Sequence, residues 1–408
     1  MFTYKIGIST SEHDRFVTDS PQTNLLQSSS WAKIKDSWGN DRLGFYQDDK
    51  LVAVASVLIQ PLPLRILYDL HSTRSYTWTT MDKELLAFVI TSLKKYAKTK
   101  RALFVKFDPS LFVTKNLISQ EVNINEDTLS IAKDIQALGV EWTGLTEDMA
   151  ENIQPQLPEA NIYKEDFTEE QLSKSTKQAI RTARNKGISV QFGGTELLDQ
   201  FADLMKKTEA RKNIHLRGID YYEKLLTTYQ NLLTLHSQHS DLPARLKDLN
   251  KQLEKNIADA AKFTEKTKPG KIENNKQEYK RLSEEIAFLQ EKVDAGNKIV
   301  PLSGTLVLEF GNTAENICTG MDEDYRRYQP AILTWFETAN HAFERGAEWQ
   351  NMGGIENSLD GGLYNFKSKF NPRIEQFIGE FNLPVSPFYG LANFAYKVRK
   401  NYAANING

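Results

Sequence analysis

The sequence predicts a mixed α/β fold with a long helical hairpin inserted in its second half. Short apolar runs alternate with amphipathic stretches, such as Asp82–Lys98 followed by Ala102–Asp108, a pattern typical of alternating helices and strands. Two apolar runs, Leu43–Gln47 and Leu51–Ile59, flank a polar turn and predict an antiparallel pair of strands. The first sheet is therefore not expected to be purely parallel.

The hairpin is predicted from two seams of apolar residues between Asp241 and Ala295. Within each seam the residues are three or four positions apart, as in coiled-coil helices, and a Pro-Gly breaker at 269–270 separates the seams. The seam residues are Leu246, Leu249, Leu253, Ile257 and Ala260 in the first helix, and Tyr279, Leu282, Ile286, Leu289 and Val293 in the second. Strand-like runs resume at Thr305–Phe310, so we interpret the hairpin as an insertion in an α/β domain.

Length and composition indicate two or three domains. The chain has 408 residues, 40% of them hydrophobic and 25% charged, which is too long for one ordinary core and too apolar for disorder. With a formal net charge of −2, any contact with a polyanion has to be local. The single cysteine excludes an intrachain disulfide and fits a cytoplasmic location. Neither a signal peptide nor a membrane-spanning stretch is expected.

Several further elements are predicted between the two halves and beyond. The proline-bearing stretch Gln154–Glu159 is predicted to be a linker. A basic helix, Ser173–Lys186, is predicted to end at Gly187, a favourable C-cap residue. A later helix, Gln329–Arg345, precedes a strand-like segment that runs into paired glycines.

The paired glycines, Gly353–Gly354, and the following Phe366–Lys367 form the most informative motif. Paired glycines let a ligand approach the backbone closely. A lysine buried between Phe366 and Phe370 would be costly unless its charge met an anion, a developing oxyanion or a carboxylate. The alternative is a surface lysine whose stem lies along the aromatic rings, and the chemistry alone favours that alternative.

With its surroundings, this motif resembles the FemA/FemB/FemX and MurM/MurN family of tRNA-dependent aminoacyltransferases, which build peptidoglycan interpeptide bridges. Members carry a glycine-glycine, acidic, Leu-Tyr-x-Phe-Lys segment, which matches residues 353–367. The similarity extends to Leu25–Lys35, to Phe104–Pro109 and to the end of the basic helix. Order and spacing agree over nearly the whole chain, hairpin included, so the sequence is expected to be closest to MurM-like members.

The resemblance implies two acetyltransferase-like (GNAT-like) α/β domains. The first would comprise residues 1–154 and 376–408, and the second residues 155–240 and 296–375, with the hairpin 241–295 inserted in the second. It also implies transfer of an amino acid, expected to be alanine or serine, from aminoacyl-tRNA to the stem-peptide lysine of a peptidoglycan precursor. The expected acceptor is lipid II, with UDP-MurNAc-pentapeptide as the alternative. Neither a cofactor nor a metal is expected.

Three residues match catalytic positions of the family. Lys367, preceded by Phe366, matches the lysine that is placed to stabilise the tetrahedral intermediate. Asp108 matches an aspartate considered as a general base. Because Asp108 precedes a proline at the end of a strand-like run, a turn residue is the alternative, and the sequence favours that alternative.

Four residues match positions that bind the acceptor in the family. Lys35, four residues after Trp31, matches a lysine that contacts the nucleotide-sugar or pyrophosphate part of the acceptor. Arg217 and Tyr221 match an Arg-x-x-x-Tyr pair, and arginine is suited to bidentate binding of phosphate. The alternatives are an exposed helix lysine and a simple stacking of arginine on tyrosine at a helix start.

Three positions depart from the family pattern in the same predicted site. His215 stands two residues before Arg217, where the family has a threonine, and Cys318 replaces a tyrosine that binds the acceptor. Residues 69–75 replace a Pro-Arg-Gly-Pro segment, so one wall of the acceptor cleft is expected to differ. A catalytic cysteine is not favoured, because no histidine motif accompanies Cys318.

Two groups of cations are candidates for binding the tRNA backbone, one on the basic helix and one at the hairpin tip. They are Lys174, Lys177, Arg181 and Arg184, and Lys262, Lys266, Lys268 and Lys271. Solvated surface charge is the alternative for the helix, and binding of a partner is the alternative for the tip. The aromatic and basic segment 388–400 is a candidate for peripheral contact with the inner face of the membrane, with core packing as its alternative.

Two other functions compete with this prediction. An acyl-CoA N-acyltransferase would share the fold, but it needs an Arg/Gln-x-x-Gly-x-Gly/Ala loop for the pyrophosphate, and the sequence has none. A non-catalytic scaffold would use the hairpin as its assembly surface.

Overall fold

The computed structural model describes residues 1–21, 23–61, 68–75, 77–78, 82–117, 123–145, 158–229, 233–356, 360–391 and 393–394, with the backbone alone at 68–75, 77–78, 117 and 233–240. The strands are β1 (Phe2–Ile6), β2 (Gly39–Gln47), β3 (Lys50–Pro61), β4 (Tyr68–Ser75), β5 (Thr77–Trp78), β6 (Ala102–Pro109), β7 (Phe112–Leu117), β8 (Glu141–Trp142), β9 (Glu159–Tyr163), β10 (Ile188–Gly193), β11 (Leu233–Asp241), β12 (Ile299–Phe310), β13 (Thr313–Met321), β14 (Trp349–Gly354), β15 (Arg373–Phe377) and β16 (Phe381–Pro384). The helices are α1 (Thr10–Thr18), α2 (Ser29–Ile34), α3 (Lys83–Thr99), α4 (Glu126–Ala137), α5 (Lys174–Asn185), α6 (Leu198–Lys212), α7 (Ile219–Thr228), α8 (Leu242–Ala260), α9 (Pro269–Asp294), α10 (Pro330–Glu344) and α11 (Gly362–Lys367). The predicted mixed α/β class is confirmed.

The first sheet has the strand order β1-β2-β3-β4-β6-β16-β8, with β5 paired to β3. β2 and β3 form the predicted antiparallel pair, and the turn between them places Asp48 and Asp49 at φ 48° and 65°. Asp and Asn tolerate this left-handed region better than most residues, which favours the tight hairpin turn here. α3 covers the sheet through Leu85, Val89 and Leu93, and its first turn is capped by the Asp82 carboxylate.

The second sheet has the order β10-β11-β12-β13-β14-β9-β15-β7. β13 and β14 are parallel, and α10 makes the crossover between them. α10 begins at Pro330, after Gln329 in the left-handed region with φ 57°. Its buried face, which includes Trp335, Phe336 and Phe343, packs on the second sheet.

The chain exchanges strands between the two sheets at two places, after β6 and after β15. β7 follows β6 of the first sheet but pairs with β15 of the second, whereas β16 follows β15 and returns between β6 and β8. A third apolar cluster lies between the sheets, where Trp31 and Ile34 of α2 join Phe201 of α6 and Tyr222 of α7. The predicted domain limits stay a prediction.

α8 and α9 form the predicted antiparallel hairpin, inserted between β11 and β12. The seam is buried near the base, at Leu249, Leu282 and Leu289, but Ile257 and Tyr279 farther along are about half exposed. The two helices are joined there by polar contacts, because Asn256 and Asn275 each donate to the other's backbone carbonyl. The predicted seam is therefore buried at the base of the hairpin and partly exposed toward its tip.

Two local predictions are corrected by strand pairing. Glu159 is the first residue of β9 and not part of a linker, while residues 154–157 lie outside the described part of the chain. Asp108 is buried within β6 and not in a turn, since β6 continues to Pro109, which pairs with Ser75 of β4. Among the described residues, no helix is both long and apolar enough to cross a bilayer.

Candidate active site

The segment that carries Lys367 is fixed by one carboxylate. Glu356, just after β14, accepts hydrogen bonds from the backbone N–H groups of Leu363 and Tyr364 at 2.9 and 3.0 Å. Burial raises the pKa of Glu356, but these N–H groups outweigh it and hold the pKa below its usual range. A Cβ on Gly361 would lie 2.3 Å from the carboxyl carbon of Glu356, so a glycine is needed before α11. α11 is thereby held against the end of β14.

Lys367 is buried, with 6% of its surface exposed, so the surface alternative is wrong. Its Nζ donates a hydrogen bond of 2.7 Å to the carbonyl oxygen of Gly354. Burial lowers the pKa of Lys367 to about 8, against the opposing effect of the Glu159 and Glu356 carboxylates. Lys367 is therefore a cation at neutral pH that can release its proton at slightly higher pH.

Lys367 lines a cavity of about 640 Å³ between α6, β13 and the start of α10. Phe366 and Trp335 form an aromatic wall of this cavity, with their rings edge to face at 5.4 Å. The Nε1 of buried Trp335 has no hydrogen-bond partner among the described residues. The first residues of α10, Pro330–Ile332, also line the cavity and direct the positive end of a helix into it. These features suit a ligand with an aromatic ring and an anionic group.

The rim of the cavity is rich in cations. Arg211 and Arg326 lie 3.1 and 3.0 Å from the carboxylate of Glu323, which both share. The exposed Lys212 and Lys369 stand on the same rim. The rim therefore carries more positive than negative charge, as binding of a polyanionic chain requires.

Five of the predicted residues form one group at the junction of the two sheets, which we call the interface cluster: Trp31, Lys35, Arg217, Tyr221 and Cys318. The Lys35 Nζ lies 5.4 Å from the Trp31 ring centroid, and the Arg217 guanidinium lies 5.3 Å from that of Tyr221. Burial and then the nearby positive charge of Arg217 lower the pKa of Lys35. Two cations held close enough to repel each other indicate a site for an anion such as a diphosphate.

Cys318 joins the interface cluster to the cavity, because it lines the cavity and interacts with Tyr221, Tyr222 and Arg217. Burial raises the pKa of its thiol to about 11, although Tyr222 and Arg217 partly oppose the shift. A thiol with that pKa is a poor nucleophile at neutral pH. Cys318 is thus a wall residue between two binding regions.

Two predicted residues lie apart from this arrangement. His215 is fully exposed, and its Nδ1 lies 3.3 Å from the Glu209 carboxylate. Asp108 lies in the first sheet, next to β16, and does not line the cavity. Its role as a base stays a prediction.

The predicted tRNA-binding cations fall into three situations. Arg184 is held by ion pairs with Glu169 and Glu337 at 3.1 and 2.9 Å, so its charge is largely offset. The other three α5 cations are exposed or half-buried, and the Thr176 hydroxyl beside them donates to the backbone carbonyl of Lys369 on the cavity rim. At the hairpin tip all four lysines are exposed, and Lys262 pairs with Asp259 at 2.8 Å.

The C-terminal segment presents three exposed apolar side chains: Phe388, Leu391 and Phe394 are 65, 71 and 66% exposed. Tyr389 is buried against Phe104 and donates to Glu141. Core packing therefore explains Tyr389 but not its three apolar neighbours. Residues 395–400, with the basic side chains of the prediction, lie outside the described part.

Sequence reasoning assigned no role to Glu159, Asn351, Trp335 or Lys212, all of which lie at or behind the cavity. Trp335 falls in a helix whose apolar residues are mostly core, and Glu159 falls in a segment rich in proline. A signal was available for Asn351 alone, since it directly precedes the glycine motif.

The chain is similar to known proteins over nearly its whole length. A family model described as "FemAB family" matches residues 8–397. A protein of Staphylococcus epidermidis named "Lipid II:glycine glycyltransferase" is 27% identical over 95% of this chain and 94% of its own length. Proteins of the same name from Staphylococcus saprophyticus and Staphylococcus aureus are 27 and 26% identical with similar coverage.

One solved structure shares the fold over the whole length. The structure titled "Crystal structure of FemX" aligns with a TM-score of 0.75 and 23% identity, covering 95% of this chain and 99% of the other. At that identity the likeness establishes the fold, and activity has to be argued from the site.

Proposed function

Because the chain belongs to the FemAB family, we propose that it transfers glycine from glycyl-tRNA to the stem-peptide lysine of lipid II. The predicted enzyme class, an aminoacyltransferase of peptidoglycan bridge synthesis, is confirmed by the family and by the names of the relatives. Those names do not support transfer of alanine or serine, so we propose glycine as the transferred amino acid and glycyl-tRNA as its donor. The expected closeness to MurM-like members stays a prediction.

The observation that carries the proposal is the buried Lys367 ammonium in a cavity with a cationic rim. In aminolysis the lysine amine of the acceptor attacks the ester carbonyl of the donor, and the carbonyl oxygen becomes an oxyanion. A fixed cation in a buried site stabilises that oxyanion without reorganisation. The intermediate then collapses: the bond from the carbonyl carbon to the tRNA 3′ oxygen breaks, and this oxygen leaves as a hydroxyl with the proton that the attacking amine gives up. An ester is already activated, so the protein needs no covalent nucleophile.

The two binding regions suit the two substrates. We assign the cavity to the aminoacylated 3′ end of tRNA, because it offers an aromatic wall and a helix N-terminus. We assign the interface cluster to the diphosphate of the acceptor. Lys35 and Arg217 repel each other, and a bound anion would offset that repulsion. Cys318 stands between the two regions, so the reacting groups would meet beside it.

The test is transfer by the purified protein. It is incubated with labelled glycyl-, alanyl- and seryl-tRNA, each with lipid II or with UDP-MurNAc-pentapeptide, and acetyl-CoA serves as a further donor. We expect labelled glycine in lipid II. Product from acetyl-CoA alone would favour the acyl-CoA alternative, and absence of product with every pair would contradict the proposal and favour the scaffold.

Loss of either interface-cluster cation should weaken acceptor binding. For Arg217→Ala or Lys35→Ala we expect the KM for lipid II to rise about 10- to 100-fold, since a charge-assisted hydrogen bond contributes ~1.5–3 kcal/mol. The KM for the charged tRNA should stay unchanged. His215→Ala, which alters an exposed neighbour, is the matched control, and an equal effect of all three variants would contradict the assignment.

If the α5 cations and the tip lysines contact tRNA phosphates, removing them should make the affinity for tRNA less dependent on salt. We expect Lys174→Ala/Lys177→Ala/Arg181→Ala to lower the slope of log Kd against log salt by about 2–3, as loss of three phosphate contacts predicts. The fourfold lysine-to-alanine variant at the tip tests whether the hairpin is a tRNA arm. Lys95→Ala/Lys98→Ala on α3 is the control, and a salt dependence equal to wild type in the tip variant would leave partner binding as the role of the tip.

The apolar C-terminal residues should insert into lipid. We expect Phe388→Ser/Leu391→Ser/Phe394→Ser to reduce sedimentation with anionic vesicles at least ~10-fold, because each buried apolar side chain contributes ~1.5–3 kcal/mol. Ile257→Ser/Tyr279→Ser removes comparable exposed groups from the hairpin and is the control. Equal sedimentation of wild type and both variants would contradict the membrane contact.

A further inference from the structure

A β-bulge in β14 brings the backbone to Lys367. Asn351 pairs with Asn161 and Gly354 pairs with Glu159, so between these pairs two residues of β14 oppose one of β9. The bulge contains Gly353 at φ 84°, and a Cβ there would lie 3.4 Å from the Lys367 Nζ. Bulges often re-aim groups beside active sites. This one turns the Gly354 carbonyl toward the ammonium of Lys367.

The same bulge holds a buried carboxylate. The Asn351 side chain accepts from the N–H of Gly353 at 2.6 Å and donates to Glu159 Oε2 at 2.9 Å. Glu159 is also the register partner of Gly354, the residue whose carbonyl binds Lys367. Short contacts through Asn351 and the two glycines thus connect the Glu159 carboxylate to the Lys367 ammonium.

A second buried carboxylate, Glu375, lies directly across from Glu159 on β15. Glu375 has its own partners, since Tyr163 and Asn161 each donate to it at 2.6 Å and the Lys115 Nζ lies 3.1 Å away. Its charge is therefore balanced by Lys115 and by these two hydrogen bonds. Glu159 and Glu375 are alike in burial and in strand position, but they face different cations.

Resting on the proposed function, we propose that Glu159 is a positioning residue for Lys367: its carboxylate keeps the ammonium protonated and fixed at the β14 bulge, ready for the oxyanion. Burial opposes the charged form of a lysine, so a cation used in a closed cavity needs a fixed counter-charge. In the described part of the chain, the charged groups that act on Lys367 are Glu159 from β9, Glu356 after β14 and Lys212 at the end of α6. Glu356 is already committed to the backbone of α11, which leaves Glu159 as the carboxylate behind the bulge.

The test measures Lys367 directly and does not depend on transfer. Wild type, Glu159→Gln and Glu375→Gln are labelled with trace acetic anhydride from pH 6 to 10, and mass spectrometry gives the labelled fraction of Lys367 at each pH. Loss of one nearby negative charge should move the Lys367 titration about one pH unit lower in Glu159→Gln. We expect Glu375→Gln to leave it in place.

The pH profile of transfer supplies the second readout. The pH at which kcat/KM stops rising should move lower in Glu159→Gln and return toward wild type in Glu159→Asp. Circular dichroism shows whether the glutamine variant folds. If it does not, the labelling test is made with Glu159→Asp and with Asn351→Ser, which removes the amide partner of the carboxylate. Unchanged titration in every folded variant, or equal shifts in Glu159→Gln and Glu375→Gln, would overturn the inference, whereas absence of transfer by wild type would bear only on the proposed function.

Discussion

Replacing Lys367 by methionine is expected to lower the single-turnover rate of transfer about 100- to 1,000-fold, the loss typical of removing one oxyanion-stabilising group. The side chain is buried, so methionine fills a similar volume and removes the charge without leaving a large cavity. The stability of the fold should be maintained or increased, because the variant no longer buries an ammonium. The measurement is a rapid-quench time course with labelled glycyl-tRNA and saturating lipid II.

Lys369→Met is the matched control for this prediction. Lys369 is exposed and lines the same cavity two residues later, so its loss tests whether any cation at the cavity suffices. At saturating donor we expect its single-turnover rate to remain within a few-fold of wild type. A Lys367→Met enzyme with a wild-type rate and an intact fold would remove Lys367 from the chemistry.

The rate of transfer should also depend on pH, because Lys367 acts only in its protonated form. The ammonium is the form that stabilises an oxyanion, and the pKa of Lys367 is lowered to about 8 by burial. Activity contributed by the cation is therefore present below that pKa and is lost as the pH rises through it. The acceptor amine has the opposite requirement, because it attacks as the free base and the ordinary pKa of a lysine amine is about 10.4. The rate should therefore rise with pH up to the pKa of Lys367, level off above it, and fall only above the pKa of the acceptor amine.

The sequence could predict those elements whose contacts lie between residues close together in the chain. The hairpin α8–α9 was predictable because a seam repeats within each helix, and the β2–β3 pair because its turn is local. The exchange of β7 and β16 between the sheets was not, since it depends on pairing with strands far away in the sequence. Registers of that kind leave no periodic signal.

The site shows the same division between local motif and distant contact. Lys367 and Phe366 could be found from their motif, yet the burial of Lys367 contradicts what the residue chemistry alone favoured. Burial there depends on α10 and on the bulge of β14, which join only in three dimensions. Glu159 was hidden for the same reason, because a glutamate after prolines is ordinary until β9 is seen to pair with β14.

The hairpin base depends on a buried ion network that periodicity does not reveal. Glu285 of α9 is buried and accepts hydrogen bonds from Lys186 after α5, from Arg245 of α8 and from Arg281, the last two at 3.1 Å. Lys186 also lies over the ring of Tyr328 at 5.0 Å. One carboxylate therefore ties the hairpin to the basic helix beside the cavity.

Glu285→Gln is expected to destabilise the protein by about 3–5 kcal/mol, because it leaves the largely buried Lys186 and Arg245 without their counter-charge. Glu284→Gln is the control, since Glu284 is exposed and lies 4.0 Å from Lys280, and such a surface pair contributes ~0–1 kcal/mol. Urea unfolding at pH 7 followed by circular dichroism gives both values. Equal stability of the two variants would mean that the network does not hold the hairpin base.

The pH dependence of stability gives this prediction a second test with a definite sign. Burial raises the pKa of Glu285, but the hydrogen bonds and positive charges of Lys186 and Arg245 outweigh that effect. The pKa of Glu285 is therefore below its usual value of 4.5. A carboxyl whose pKa is lowered on folding contributes stability above its unfolded pKa and loses it as the pH falls toward the folded pKa. Wild type should therefore lose more stability than Glu285→Gln as the pH falls below about 4.5. Parallel curves for the two proteins would show that folding does not shift the pKa of Glu285, and the ion network would then not account for the attachment of the hairpin to α5.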